Sequence, residues 1–139
     1  RTLVARDYAR VFESAEHTGE EYVQMGAETV LAFGPWLVRG GEINPALETS
    51  YRTKEPRTAI GQVDANHYVL VVADGRRDGW SDKGMTLQEL QQVFVEQGCK
   101  VAYNLDGGGS ATMILGSQRV NKTSGSRERD VSDIVYFTK

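Results

Sequence analysis

The polar residues of this chain that are best placed to do chemistry lie in one stretch, Asn104-Leu-Asp-Gly-Gly-Gly-Ser-Ala-Thr112. It sets a carboxylate, three glycines and a hydroxyl between two apolar runs. A run of glycines costs backbone entropy on folding, so it is typical of places where φ must be positive or where a ligand approaches the main chain closely. The N–H groups of such a turn can bind an anion. The stretch therefore predicts either an anion-binding turn or a plain strand-to-strand turn in which Asp106 and Ser110 satisfy neighbouring main-chain groups.

Further polar side chains stand at the ends of predicted strands, where a sheet can offer them to a ligand without losing core contacts. They are Arg57, Thr58, Asp74, Arg76, Arg127, Arg129 and Ser132. The planar guanidinium of arginine matches the oxygens of a phosphate or a carboxylate. A nearby aspartate could act as a nucleophile, a base or a metal ligand. Plainer interpretations stay open, because Arg57 and Glu55 could form a weak surface ion pair and Asp74-Gly75 could be only a turn.

Two familiar catalytic patterns do not fit the central stretch. Ser110 lacks the Gly-x-Ser-x-Gly surroundings of a hydrolase nucleophile, and no histidine stands near it in the sequence. The glycines are not followed by the lysine and the helix of a phosphate-binding loop. We therefore expect neither a serine hydrolase nor a P-loop protein.

Size and composition exclude several other classes of protein. The 139 residues suffice for one domain with its own core. The net charge of −3 gives no reason to expect a nucleic-acid partner, and no apolar run approaches the roughly 20 residues of a membrane helix. The single cysteine, Cys99, cannot form an internal disulfide, and it is expected to be a small buried apolar residue.

The strongest prediction of secondary structure is one helix. Thr86 and Glu89 form the pattern of a capping box. The apolar residues that follow recur at helical spacing, from Leu87 to Phe94, and Gly98 stands where a helix commonly ends. These signals predict a helix at about 87–97 that packs on a sheet.

Apolar, β-branched runs bounded by turn residues predict many strands. The predicted strands are Thr29–Phe33, Trp36–Val38, Pro56–Val63, His67–Ala73, Cys99–Leu105, Ala111–Leu115, Gln118–Val120 and Asp130–Phe137. The unbroken apolar run Tyr68–Val72 suggests a strand covered on both faces, whereas residues 1–24 suggest an exposed helix or a loose segment. Many strands with one clear helix indicate an α+β fold with a mixed, mostly antiparallel sheet, and we expect residues 1–139 to form a single domain.

Five motifs resemble, in their order, those of the phosphodiester glycosidase family, over roughly residues 25–137. They are Pro56-Arg-Thr-Ala-Ile-Gly61, Val72-Ala-Asp-Gly-Arg76, Gly84-Met-Thr-Leu-Gln-Glu-Leu90, Asn104-Leu-Asp-Gly-Gly-Gly-Ser-Ala-Thr-Met113 and Arg129-Asp-Val-Ser-Asp-Ile134. The resemblance implies hydrolysis of the glycosidic bond between a sugar and a phosphodiester, with a sugar phosphate or glycan as substrate. It also implies an extracellular or cell-envelope location and exopolysaccharide or other carbohydrate metabolism. We expect no required cofactor, with a divalent metal as the alternative considered below, and no membrane insertion.

The resemblance also suggests a role for each site residue. Arg57, Arg76 and Arg129 would neutralise the departing phosphate. Asp106, and as second choice Asp74, would act at the anomeric carbon as nucleophile or base. The remaining substrate-binding residues would be Thr58, Asn104 on a sugar hydroxyl, and Gly108, Gly109 and Ser110 through their N–H groups.

One departure from the family pattern leaves other functions open. The chain has no match to the family's earlier Asn-Gly-Gly-Phe-Phe-like segment, so we expect it to be the C-terminal larger part of the domain, with the N-terminal segment as a separate partner chain or removed. One alternative is a non-catalytic carbohydrate- or phosphate-binding module of a cell-envelope or exopolysaccharide protein. Another is a metal-assisted phosphoesterase in which Asp74 and Asp106 hold a divalent ion.

Overall fold

The computed structural model describes residues 2–5, 8–13, 16–48, 52–76, 83–125 and 128–137. The strands are β1 (Thr2–Ala5), β2 (Arg10–Phe12), β3 (Thr29–Ala32), β4 (Trp36–Arg39), β5 (Glu42–Ile43), β6 (Arg57–Asp64), β7 (His67–Ala73), β8 (Val101–Leu105), β9 (Ile114–Leu115) and β10 (Gln118–Arg119). The α-helices are α1 (Gly19–Gln24) and α2 (Leu87–Glu96), and single turns of 3-10 helix lie at Pro45–Leu47 and Gly108–Ser110.

The main sheet has five strands in the order β5-β4-β8-β6-β7, and every neighbouring pair is antiparallel. Its longest strand, β6, lies between β7 and β8, and Thr58 stands opposite Val72 on one side and Leu105 on the other. The β6–β7 hairpin confirms the predicted turn at 64–66. The antiparallel sheet with one clear helix confirms the predicted α+β class.

Helix α2 covers one face of the main sheet and forms as the sequence predicts. The Thr86 hydroxyl accepts a hydrogen bond from the Glu89 N–H, and the Glu89 carboxylate accepts one from the Thr86 N–H. At the far end Gly98 takes a φ of +72°, which suits glycine. Leu90 and Phe94 are fully buried in the core beneath the helix. Phe94 packs over Gly61, where an added Cβ would come within 2.8 Å of the ring.

The opposite face of the main sheet packs against a second sheet, of order β2-β1-β3. Trp36, Ile60 and Tyr103 form the core of this layer together with Ala9, and Leu31 of β3 packs against them. The prediction for residues 1–24 is wrong for β1 and β2, whereas the short helix α1, exposed except for Tyr22, agrees with it. The mixed, charged sequence does not reveal β1, which pairs locally with β2 and across more than twenty residues with β3.

Two further strand predictions are wrong. Residues 130–137 form no strand; Ile134 and Tyr136 are largely exposed, and Phe137 instead packs its ring against Tyr68 at a centroid distance of 5.8 Å. Strand β7 is not fully covered on both faces, since Leu70 is 41% exposed and its other apolar residues are only half-buried. In both segments the apolar side chains lie at the edge of the core and are not enclosed by it.

Candidate functional site

The triglycine turn follows β8 and is anchored to the start of β6. The Gly108 N–H donates to the Pro56 carbonyl at 3.0 Å, and the Ser110 N–H donates to the Gly107 carbonyl at 2.9 Å. A side chain at Gly107 would collide with the Pro56 carbonyl oxygen, and Gly108 has a φ of +57°. The run of glycines thus allows a close approach of two main-chain segments, and two of the N–H groups predicted to bind phosphate donate within the chain.

Each of the three glycines lies against a different arginine. A Cβ added to Gly107 would stand 3.3 Å from Arg57 Cα, and one added to Gly108 would stand 3.4 Å from Arg76 Nη1. A Cβ on Gly109 would collide with Cδ of Arg129. The structure therefore brings the turn together with residues from three other regions of the sequence, and it places the side chains of Arg76 and Arg129 against the turn.

Arg57 is the most enclosed of the three arginines. Its Nε donates to the Met85 carbonyl and its Nη2 to the Thr53 carbonyl, both at 3.0 Å. Burial lowers the pKa of the Arg57 guanidinium, whereas the carboxylate of Glu55 raises it and the charge of Arg76 lowers it. Two of its donors thus hold the loop before β6 in place.

Arg76 is exposed and is held by a residue that sequence reasoning did not select. Its Nε donates to Oε2 of Glu55, which forms an ion pair with it. The sequence suggests Glu55 as the partner of Arg57, two residues away. The pairing with Arg76 depends on the close approach of two loops, which no local pattern reveals.

The two predicted catalytic aspartates have different environments. Asp106 is exposed and makes no hydrogen bond or ion pair with the part of the chain that the structure describes. Asp74 is half-buried, and both of its carboxylate oxygens accept from the Lys122 N–H at 3.0 Å. Oδ1 of Asp74 also accepts from Nδ2 of Asn121 at 3.2 Å.

Asn121 connects Asp74 to the segment that follows the triglycine turn. Its Nδ2 also donates to the Ala111 carbonyl at 2.8 Å, and its Oδ1 accepts from the Met113 N–H at 2.7 Å. The sequence analysis did not select Asn121, because an asparagine in a polar loop carries no local signal. It is, nevertheless, the residue that ties Asp74 to the site.

Thr58 and Asn104 lie inside the protein, on opposite faces of the main sheet. Thr58 pairs with Leu105, whereas Asn104 pairs with Ala59 on the face that α2 covers. Asn104 is 2% exposed and donates from Nδ2 to the Gly34 carbonyl at 2.8 Å. The Oγ1 atom of Thr58 and the Oδ1 atom of Asn104 are buried without a hydrogen-bond partner. The structure thus does not bring these two side chains to a common surface.

An open groove of about 420 Å³ lies next to Asp74 and Asn121, and Asn121 bonds to the segment that follows the turn. Its lining consists of Val72, Asp74, Lys83, Gly84, Met85, Val120 and Asn121. It therefore combines apolar walls with one exposed cation and the anchored carboxylate of Asp74. Such a surface can contact the part of a ligand that extends beyond an anionic group.

Three properties of the described residues bear on other functions. No group of three or more His, Cys, Asp or Glu side chains in these ranges is arranged to hold a metal ion. The same ranges contain no helix with the length and apolar character needed to cross a membrane. Cys99 is buried as predicted, and burial raises the pKa of its thiol, which makes it a poor nucleophile.

Comparison with known proteins identifies relatives of the chain. The SPbeta prophage-derived uncharacterized protein YomE of Bacillus subtilis (strain 168) is 32% identical over 132 residues, which are 93% of this chain and 20% of YomE. Human N-acetylglucosamine-1-phosphodiester alpha-N-acetylglucosaminidase is 35% identical over 95 residues, or 58% of this chain and 18% of the human protein. The chain thus spans about a fifth of the length of these curated relatives.

A solved structure and a family model agree with these relatives. The catalytic domain of the zebrafish N-acetylglucosamine-1-phosphodiester alpha-N-acetylglucosaminidase, auto-inhibited by its pro-peptide, matches with a TM-score of 0.59 and 27% identity over 70% of this chain and 36% of the zebrafish chain. The family model described as phosphodiester glycosidase matches residues 3–138. The chain therefore belongs to the phosphodiester glycosidase family.

Proposed function

We propose that the protein hydrolyses the bond between the anomeric carbon of a sugar and the phosphate of a phosphodiester. The observation that supports this most is the placement of the Arg76 and Arg129 side chains against the triglycine turn, next to the exposed carboxylate of Asp106, with the main chain of Arg57 packed on the same turn. A cationic turn beside a free carboxylate suits a substrate that carries a phosphate next to the carbon to be attacked. Family membership makes a glycosidase acting on phosphodiesters the leading expectation.

The chemistry of the leaving group explains why arginines matter more than an acid. A general acid typically accelerates a reaction by 10²–10⁴-fold. A phosphate monoester is already a stable anion, so protonating it as it leaves adds little of that acceleration. Positive charge that neutralises the developing anion lowers the barrier instead. Arg76 and Arg129 are suited to this because both are exposed and lie against the turn.

Of the two aspartates, Asp106 is the better candidate for the reaction at the anomeric carbon. A carboxylate that attacks carbon or takes a proton from water needs oxygens that are not already occupied. Asp106 is exposed with its oxygens uncommitted in the described part of the chain, whereas both oxygens of Asp74 accept hydrogen bonds from the Lys122 main chain. We assign Asp106 as nucleophile or base, and Asp74 as the residue that holds the groove beside it.

Release of free sugar from an N-acetylglucosamine 1-phosphodiester tests the proposal. We expect turnover by the wild type, a loss of about 10³-fold or more in Asp106→Asn, as removal of a catalytic carboxylate implies, and a smaller loss in Asp74→Asn. Asp64→Asn is the matched control, because Asp64 is an exposed aspartate at the opposite end of β6 from Arg57. Equal turnover by Asp106→Asn and the control would refute the assignment.

A non-catalytic module that binds sugar phosphates is the second candidate. Glycosidases ordinarily use a pair of carboxylates. Of Glu55, Asp74 and Asp106, the first two are engaged in hydrogen bonds. Saturable binding of the same phosphodiester without release of sugar would favour the module.

The metal-assisted phosphoesterase has less support from the described residues. Both oxygens of Asp74 are occupied, and no third ligand joins Asp74 and Asp106. Loss of activity in a chelator, and its recovery on adding a divalent ion, would favour this alternative. We further propose an extracellular or cell-envelope location, as expected from the resemblance to the family.

A further inference from the structure

Glu55 has a main chain that is fixed independently of its side chain. It forms an antiparallel bridge with Met85, with N–H to carbonyl distances of 3.1 and 2.9 Å. Gly84 lies so close that any side chain there would collide with the Glu55 backbone. A change confined to the Glu55 carboxylate therefore leaves the bridge intact.

The main chain at Arg76 is fixed, whereas its side chain is long and exposed. Its φ of +56° is unusual for a residue with a side chain, and the preceding Gly75 is packed so tightly that an added Cβ would come within 2.8 Å of the Gly84 main chain. Beyond this point the Arg76 side chain is 56% exposed, and the interaction that sets its direction is the hydrogen bond from Nε to Glu55. Its Nη1 then lies against Gly108.

We propose that Glu55 is a positioning residue, which orients the Arg76 guanidinium toward the triglycine turn so that its Nη donors face the phosphate of the substrate. This inference rests on the proposed function for the identity of the substrate. A carboxylate that binds Nε leaves the outer nitrogens of the fork available to a second anion. Glu55 also lies in the field of Arg57, so it reduces the repulsion between two cations that share the site. The hydrogen bond from Arg76 lowers the pKa of Glu55, which keeps it ionised at neutral pH.

A double-mutant cycle tests this role. The variants are Glu55→Ala, Arg76→Ala and the pair together, and the measurement is the dissociation constant of N-acetylglucosamine 1-phosphate by calorimetry. We expect Glu55→Ala to weaken binding by about five- to tenfold, in the range for one hydrogen bond to a charged group at an exposed site. In the Arg76→Ala background the same change should have an effect of less than about twofold, because nothing is left to orient.

Two further variants separate positioning from a general effect on the fold. Glu55→Gln keeps an oxygen that can accept from Nε, so it should recover part of the lost affinity. Glu13→Ala removes a surface ion pair with Arg39, at 3.7 Å, that lies on other strands and should leave binding unchanged. The midpoint of urea unfolding should fall only slightly in the single variants, by no more than the loss of one largely exposed ion pair implies.

The outcomes distinguish the positioning role from the proposed function. An equal effect of Glu55→Ala in both backgrounds, or tighter binding by Glu55→Ala, would overturn the role of Glu55; tighter binding would mean that the carboxylate competes with phosphate for Arg76. If the expected pattern appears while no variant releases sugar from a phosphodiester, the positioning role stands and the hydrolytic function fails. Absence of binding by the wild type would overturn both.

Discussion

Replacing Gly109 by alanine should move Arg129 away from the triglycine turn without unfolding the protein. The added methyl group would occupy the place of Arg129 Cδ and stand 3.2 Å from its Cγ. Arg129 is exposed, so its side chain can rotate aside. Gly109→Ala is therefore expected to weaken ligand binding and to leave the stability of the fold nearly unchanged.

The changes in stability and in ligand affinity caused by Gly109→Ala can both be approximated from the structure. Alanine in place of glycine restricts the unfolded chain, which stabilises a protein by about 0.4–1 kcal/mol where the backbone is compatible. A forced change of rotamer in one exposed arginine offsets a similar amount, of order 0.5–1.5 kcal/mol. The net change in the free energy of unfolding should stay within about 1 kcal/mol. Loss of one charge-assisted contact to phosphate costs about 1.5 kcal/mol at the low end of its range, which corresponds to about tenfold in affinity.

Gly107→Ala provides the contrasting variant. Its methyl group would meet the Pro56 carbonyl oxygen, which belongs to fully buried main chain and cannot rotate away. This variant should lose about 2–3 kcal/mol of stability, in the upper range for single substitutions. Gly19→Ala has no atom within 4 Å of the new methyl group and serves as the neutral control.

The assay combines urea unfolding with titration of N-acetylglucosamine 1-phosphate. The reasoning fails if Gly109→Ala binds as tightly as the wild type, because Arg129 would then contribute nothing at the turn. It fails equally if Gly109→Ala is as destabilised as Gly107→Ala, because the Arg129 side chain would then be as immovable as the main chain.

Two further predictions concern stability. Phe94→Ala should lower the free energy of unfolding by about 3–5 kcal/mol, since Phe94 is fully buried over Gly61; Val95→Ala, at a position 39% exposed on the same helix, should stay within about 1 kcal/mol in the same urea titration. Acid should destabilise the protein through carboxylates whose pKa lies below the ordinary 4.5: Glu89 hydrogen-bonded by Lys54, Glu55 by Arg76 and Glu21 by the Thr18 main chain. Because the folded-state pKa is the lower one, this stabilisation is complete above pH 4.5 and is lost as the pH falls through the folded value. The urea concentration at the unfolding midpoint should therefore be lower at pH values under 4.5 than at neutral pH. An unchanged midpoint at pH 3 would contradict this account.

The sequence predicted secondary structure correctly where the stabilising contacts are between residues close together in the sequence. Helix α2 has its capping box, its apolar face and its terminal glycine within thirteen residues. The β6–β7 hairpin likewise joins neighbours in the sequence. The second sheet depends instead on pairing between β1 and β3 across more than twenty residues, and the exposed run at 130–137 has the composition of a strand without a partner to pair with.

The candidate site was predictable in its residue types but not in its contacts. Arginines and aspartates at strand ends, together with three glycines, indicated an anion site, and the structure brings the side chains of Arg76 and Arg129 and the main chain of Arg57 to the glycines. Glu55 and Asn121 act through partners at least 8 residues away in the sequence, so nothing in their local sequence marks them. The buried positions of Thr58 and Asn104 follow from strand register, where a shift of one residue exchanges the faces of the sheet.

The close packing of Gly75 against Gly84 has a consequence for how the protein can be lengthened. The two residues are held against each other and against the Glu55–Met85 bridge, so the chain leaves and returns at nearly the same point. When the ends of a loop are already joined, each doubling of its length costs only about 0.6 kcal/mol of closure entropy. Relatives or engineered variants could therefore carry a longer insertion between Arg76 and Lys83, such as an epitope or a second recognition element. The insertion would be presented at the rim of the groove while the arginine cluster kept its geometry.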